Sequence, residues 1–463
     1  MNITKADKKI NKNSIDMTKG PLIKNMLTMA IPIALTTLLQ FLYHSADLAV
    51  VGQFADNPEI SLSAIGATGP ITALFINLFL GVSLGANIIV AQNIGAKNSQ
   101  NVHDSVHTAI MLSIIVGLFC GILGFFLSGS ILKLMNCSGQ IYDFASKYLK
   151  IIFIGMPFNL VYNFGSSILR ANGDTKRPFI ILTIAGILNV FLNLFFVIVF
   201  HLDVLGVALA TIMSQLFSAI VIIILLINNT DDTKLNLKEL RIHKQRLREI
   251  LSVGLPAGIE SSSFNIPNII ARTYLLELGD VISSASTIQW DICNYVMSIS
   301  MAIKQTTVAF VAQNYGAKQI DYIKTIYQKA LLLGEIITVA ICVILTVFRY
   351  PLFLLFTDSK EIIKYANIGL LISMPFYLFW MLSEASLGAS KGLGNKRGTT
   401  IIHFSANCVF RVLYFIFIFP INKSFILLTL VYPASWTISG ILQYVWFKIY
   451  YKKIKKEVKE NLG

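Results

Sequence analysis

Asp47 is the first residue whose chemistry needs explaining. It sits in the run AIPIALTTLLQFLYHSADLAVVGQ, with Tyr43 four residues before it on the same helical face and His44 three before. A charge in hydrocarbon costs at least about 2.5 to 3.5 kcal/mol on insertion scales, so an acid in such a stretch is expected to work, most simply by taking up and releasing a proton. Asn189 and Asn193 form a second constellation, spaced i and i+4 in the apolar run LNVFLNLFFVIVFH. On the residues alone, structural amide hydrogen bonding between helices and a functional role are both open readings. The second half of the chain is richer in buried-looking charge, with Glu260, Arg272, Asp291, Lys304, Glu335, Glu384 and Arg411.

Membrane-spanning helices must carry these residues. The chain has 463 residues, 55% hydrophobic and 13% charged, with a mean hydropathy of +0.68. Soluble domains carry about 25% charged residues. No charge occurs from Ile60 to Ala96, Ser105 to Leu132, Pro178 to Leu202, Val204 to Thr230 or Ser424 to Phe447, and about 20 apolar residues cross a bilayer as a helix. Twelve spans are expected, near 23–51, 62–91, 105–128, 149–170, 178–200, 204–228, 249–276, 283–312, 327–348, 363–388, 399–420 and 424–447.

The formal charge of +14 does not require nucleic acid as a partner. With the N-terminus inside, most of the 38 Lys and Arg residues fall in the termini and alternate loops of one side, as the positive-inside rule demands. Both termini are then cytoplasmic and the bilayer is the expected partner. The first twenty residues are polar and basic, without the apolar core of a cleavable signal. The five cysteines form no CxxC pair, and His44, His107, His201 and His403 are scattered, so no metal centre is expected.

The chain repeats itself. VAQNIGAK at 90–97 returns as VAQNYGAK at 311–318, Met156-Pro157-Phe158 as Met374-Pro375-Phe376, Lys176-Arg177 as Lys396-Arg397, and Asn189 as Asn407. Two copies of a six-span unit follow, both facing the same way because six is even. The expected divisions are a cytoplasmic tail at 1–21, a first lobe at 22–228, a linker at 229–248, a second lobe at 249–448 and a tail at 449–463. Leucines spaced through the basic linker suggest an amphipathic helix on the inner leaflet. In the octapeptide, Gly95 and Gly316 are expected to cap helices, with Lys97 and Lys318 complementing the helix dipole.

Taken together, AIPIALTTLLQFLYHSADLAVVGQ, GVSLGANIIVAQNIGAKN, LRANGDTKRP, LNVFLNLFFVIVFH and GVALATIMSQ resemble the multidrug and toxic compound extrusion family, particularly its DinF-like and MepA-like branches. The resemblance runs from about 22 to 450. It implies an all-α protein of twelve membrane helices in two six-helix lobes forming a V. It also implies a monomeric plasma-membrane antiporter, without a cofactor, that exports cationic or amphipathic compounds in exchange for protons or sodium.

By the same resemblance the coupling acid falls on Asp47, its neighbouring tyrosine on Tyr43, a bend-forming proline on Pro32, and a cation-binding cluster on Asn189, Asn193 and Thr211. Some members carry an aspartate where this chain has Asn193, and the missing carboxylate weakens a sodium site more than a proton site. Glu260 stands where a glutamine is common; it can receive a cationic substrate or pair with Lys304 or Arg411. Arg411 matches Asn193 across the repeat, so the lobes have diverged chemically. Arg272, Asp291 and Glu384 read as structural. A flippase for lipid-linked oligosaccharides shares this architecture but needs a basic cleft for pyrophosphate, and the first lobe offers only an acid. No HExxH, GxSxG or paired catalytic carboxylates support a membrane-embedded enzyme.

Overall fold

Spans this apolar can cross a membrane only with every backbone group satisfied internally, which leaves helices as the form each run takes. The computed structural model describes residues 14–135, 137 and 139–460, and those residues contain helices and no strand. The first half carries α1 (Leu22–Phe54), α2 (Pro58–Gly95), α3 (Ser99–Leu134), α4 (Gly139–Ile154), α5 (Met156–Ala171), α6 (Lys176–Leu194) and α7 (Asp203–Ile227). The second carries α8 (Lys244–Ser263), α9 (Asn265–Glu277), α10 (Asp280–Gly316), α11 (Ile320–Val347), α12 (Arg349–Leu354), α13 (Lys360–Ser373), α14 (Tyr377–Gly392), α15 (Gly398–Phe404), α16 (Phe410–Leu413) and α17 (Phe425–Glu460).

Among the described residues, ten helices are long and apolar enough to cross a membrane, and eleven if α4 and α5 count as one span bent by 46°. That bend falls at Gly155 and Pro157, where proline removes a backbone donor. The Met-Pro-Phe repeat does the same work in the second half, where Met374–Phe376 forms a single 3₁₀ turn between α13 and α14. The expected seventh span is divided at Phe264: α8 has 20 residues with a polar start and α9 has only 13. Glu260 and Arg272 lower its hydropathy further.

The chain divides into two compact units, one holding Leu35–Leu255 and the other Met17–Ala34 with Pro256–Gly463. The division inside α1 lies two residues past Pro32, and α1 runs through that proline as one continuous helix. The packing repeats as the sequence does. In the first unit α5 packs against α2, α3 and α7; in the second its counterpart α14 packs against α10, α11 and α17. Close approach is built in: a Cβ at Gly117 would lie 2.5 Å from the backbone of Pro157, and one at Gly440 would lie 2.5 Å from the Phe379 carbonyl.

Both octapeptides end their helices in the same way, but the residue in the left-handed conformation is lysine rather than glycine. Lys97 has φ 55° and Lys318 φ 58°. Asn98 N–H donates to Asn93 O and Lys97 N–H to Ile94 O; in the second copy Gln319 bonds to Asn314 and Lys318 to Tyr315. These are Schellman caps with Ala96 and Ala317 at the C-cap. Asn314 also donates Nδ2 to Met17 O at 2.9 Å, tying the residues before α1 to the end of α10.

The linker is not one amphipathic helix. Residues 229–243 form an ordered segment with a 3₁₀ turn at Leu237–Glu239, and the helix starts only at Lys244. Side chains that bond locally compete with helix formation. Asp231 Oδ1 accepts from the backbone N–H of Thr233, Asn229 Nδ2 donates to Thr233 Oγ1, and Arg177 holds Asn229 from α6. Leu235 is buried rather than facing a membrane surface.

Candidate functional site

In the first unit, α1 and α6 position the expected coupling residues. Asn193 donates Nδ2 to Asp47 Oδ1 at 2.5 Å and shares that donor with Asn189 Oδ1 at 3.3 Å. Asn189 and Asn193 are both buried, as their i, i+4 spacing in an apolar helix requires. No basic group pairs with Asp47 among the described residues. A turn of π-helix, Phe195–Val199, follows Asn193 directly; such turns cluster at functional sites because they re-aim neighbouring side chains.

Tyr43 does not bond to Asp47. Its hydroxyl donates to the carbonyl of Leu182 at 3.1 Å, with Thr183 O at 3.4 Å. The ring lies on Gly186, where an added Cβ would sit 1.7 Å from Tyr43 Cζ. Gly186 was not singled out from sequence, although a lone glycine inside an apolar helix is the sign of such an approach. Thr211, on α7, has a buried Oγ1 with no hydrogen-bond partner, and so does the Oδ1 of Asn193. The structure thus joins Asp47, Asn189 and Asn193, sets Tyr43 of α1 against α6, and leaves Thr211 Oγ1 without a hydrogen bond.

The second unit builds a different site. Glu260 pairs with neither Lys304 nor Arg411; its partner is Lys391, whose Nζ lies 3.0 Å from both carboxylate oxygens. Thr400 Oγ1 donates to Oε2 at 3.2 Å. Lys304 pairs with Glu384 at 2.5 Å, and His403 Nε2 stands 3.7 Å from the other Glu384 oxygen, beyond hydrogen-bond reach. Glu260, Glu384, Lys391 and His403 are all at most 3% exposed. Gly388 lets α10 and α14 approach here, since a Cβ on it would lie 2.9 Å from Lys304 O.

Arg411 makes no ion pair among the described residues. It donates to Ser435 Oγ at 2.8 Å and Asn407 Oδ1 at 3.1 Å, and it lies over the Tyr432 ring at 4.7 Å. Asn407 sits inside a π turn, Ser405–Val409, whereas its counterpart Asn189 lies nearly two turns before the π turn at Phe195–Val199. Of the residues read as structural, Arg272 is exposed and bonds Thr287, whereas Glu384 belongs to the buried network. Lys391 was missed altogether. It is written among residues that look like a cytoplasmic loop, yet it closes α14 with its ammonium inside.

The histidines are not all scattered. His103 and His107 stack on α3 with ring centroids 3.9 Å apart, and Glu239 Oε2 lies 3.0 Å from His103 Nε2.

Comparison with known proteins places these sites in context. The MatE family model matches residues 32–195 and 256–416, one stretch in each half. The chain is 23% identical over 444 residues to the probable multidrug resistance protein YoeA of Bacillus subtilis (strain 168), covering 94% of this chain and 96% of that one. It is 25% identical over 387 residues to the multidrug export protein MepA of Staphylococcus aureus (strain MSSA476), covering 83% and 84%. Among solved structures, a MATE protein in the bent conformation superposes with a TM-score of 0.88 at 20% identity, over 96% of this chain and 98% of that one. An outward-facing multidrug resistance MATE family transporter of the MOP superfamily gives 0.87 at 20% identity, over 96% and 99%. At that identity the structures establish the fold, all-helical with the span architecture of these transporters. The chain is a multi-pass membrane protein of the MatE family, a transporter and not an enzyme.

Proposed function

We propose that this protein exports cationic or amphipathic compounds by alternating access, and that proton uptake at Asp47 drives the cycle. The relatives named for multidrug export support the substrate class. The observation that carries the coupling is the single carboxylate of Asp47, held by a neutral amide donor inside an apolar unit and lacking a basic partner among the described residues. An acid so placed is costly unless it changes protonation state in the working cycle.

A proton suits this site better than sodium. Sodium needs several oxygens facing inward, but Asn193 presents its N–H₂ to the carboxylate and fills a lone pair that a metal would use. The alternative sodium site would draw on Asp47, Asn189, Asn193 and Thr211. Pro32 supplies a place where α1 can bend, because the helix lacks one backbone bond there. The protein works as a monomer in the plasma membrane with both termini in the cytoplasm, in keeping with its basic loops.

In the second unit, Glu260 and Glu384 are each neutralised by a lysine, which argues against the flippase reading. Lys304 and Lys391 are already committed to acids, so of the three basic residues Lys304, Lys391 and Arg411, Arg411 alone has no carboxylate partner among the described residues.

The test is uptake of a fluorescent cationic dye into inverted vesicles under an imposed proton gradient and then a sodium gradient, with Asp47→Asn alongside. A proton gradient should drive the unaltered protein and leave the variant at background. Full gradient-driven transport by the variant would place coupling elsewhere.

A further inference from the structure

Two histidines and an acid that serve no part of the transport proposal converge where α3 begins. His103 and His107 are spaced i and i+4, which puts both imidazoles on one helical face. Glu239 arrives from the 3₁₀ turn at Leu237–Glu239. One ligand atom from each of His103, His107 and Glu239 lies within 4.8 Å of the others. We propose that these three side chains form a binding site for a divalent transition-metal ion of the zinc class, and that the ion clasps the segment 229–243 to α3.

The surrounding hydrogen bonds are those a metal site needs. In the tautomer protonated at Nδ1, His107 donates to the His103 carbonyl at 2.8 Å and Nε2 keeps its lone pair; the Asn236 carbonyl lies 3.1 Å from that Nε2. That lone pair now accepts the Asn236 backbone N–H at 3.0 Å and would exchange it for the ion. Asn236 Nδ2 bonds Glu239 Oε1, leaving Oε2 to face His103 Nε2 at 3.0 Å. His103 Nδ1 is buried without a hydrogen-bond partner, and Asp104 Oδ1 stands 3.7 Å from it, near enough to bias the ring electrostatically but too far to hydrogen-bond it. Asp104 is in turn held by Gln100 and by His243 of the same segment.

Two imidazole nitrogens and one carboxylate oxygen, with no thiolate, suit zinc, cobalt or nickel; magnesium and calcium prefer all-oxygen shells. His107 is fully buried, whereas the side chains of His103 and Glu239 are 31% and 53% exposed. The site therefore opens to water on one side, and a water completes four-coordination. A role for His107 as a packing residue explains its bonds to His103 and Asn236 but not the facing pair of His103 and Glu239.

The test uses the full-length protein in detergent, with any affinity tag removed and metals stripped by a chelator. Zinc binding is followed by equilibrium dialysis, and cobalt binding by the visible absorption of a tetrahedral ion, with magnesium as the control. The expected result is one zinc per chain, a tetrahedral cobalt spectrum and a zinc-dependent rise in the thermal midpoint. His103→Gln and Glu239→Gln, both at exposed positions, should each weaken binding by about tenfold or more. Equal affinity in the double variant overturns the proposal, as does wild-type binding no tighter than about millimolar.

Discussion

The two units carry one helical plan with opposite electrostatics. In the first, a lone carboxylate is held by amides; in the second, Glu260 and Glu384 are matched by Lys391 and Lys304. At the matching pair of helices the first unit has neutral hydrogen bonds, Ser167 Oγ to Ser83 Oγ at 3.3 Å and Asn87 Nδ2 to Ser167 O at 2.8 Å, where the second has the Lys304–Glu384 ion pair. Duplication preserved the backbone and let the polar interior diverge. A carboxylate without a cation is free to titrate during a cycle, whereas one locked to a lysine holds its charge and organises its surroundings. On the coupling proposed above, Asp47 does the work and the Glu260–Lys391 pair is structural.

That assignment can be broken in order of effect. Asp47→Asn should bring gradient-driven efflux to background while the thermal midpoint in detergent stays level or rises slightly, because a buried ionisable group has been removed. A collapse in stability instead would make Asp47 a structural acid. Lys391→Met should do the reverse, costing about 3 to 5 kcal/mol by stranding Glu260 in the interior. The double variant Glu260→Gln with Lys391→Met should regain most of that in a thermal unfolding series. If the double variant is stable but fails to transport, the pair belongs to the machinery and the contrast between the units falls.

A smaller effect is expected at Gly186→Ala, where the new methyl meets the Tyr43 ring; a loss of about 1 to 3 kcal/mol is the usual cost of overpacking. Efflux should fall with it, since Tyr43 packs one turn from Asp47 on α1. Smallest of all, Lys97→Gly and Lys318→Gly should each add about 0.5 to 1 kcal/mol by relieving left-handed strain, and by similar amounts in the two units. A clear inequality would show that the repeated caps are no longer equivalent.

Much of this was legible in the sequence, for identifiable reasons. Asp47, Asn189 and Asn193 are visible because hydrocarbon makes polar residues conspicuous, and i, i+4 spacing makes two of them neighbours. The repeat is visible because a helix end and a proline break each need the same residues twice. The partner of Glu260 was hidden because Lys391 follows the same local pattern as loop lysines that obey the positive-inside rule, and burial is a property of the fold. The linker misled because its leucines suit an amphipathic helix, while the asparagine and aspartate side chains that unwind it act through bonds to α5 and α6. The histidine cluster needs Glu239 to meet His103 across distant sequence, which no local period encodes.

The bond from Asn314 to Met17 has a consequence for how the molecule is made. Residues Met17–Ala34 belong with the second unit, yet they are synthesised before Leu35–Leu255 of the first. At about 5 to 20 residues per second, their partner on α10 is synthesised roughly 15 to 60 s later. The leading end of the first helix must wait in the bilayer for neighbours that are made only after the whole first unit.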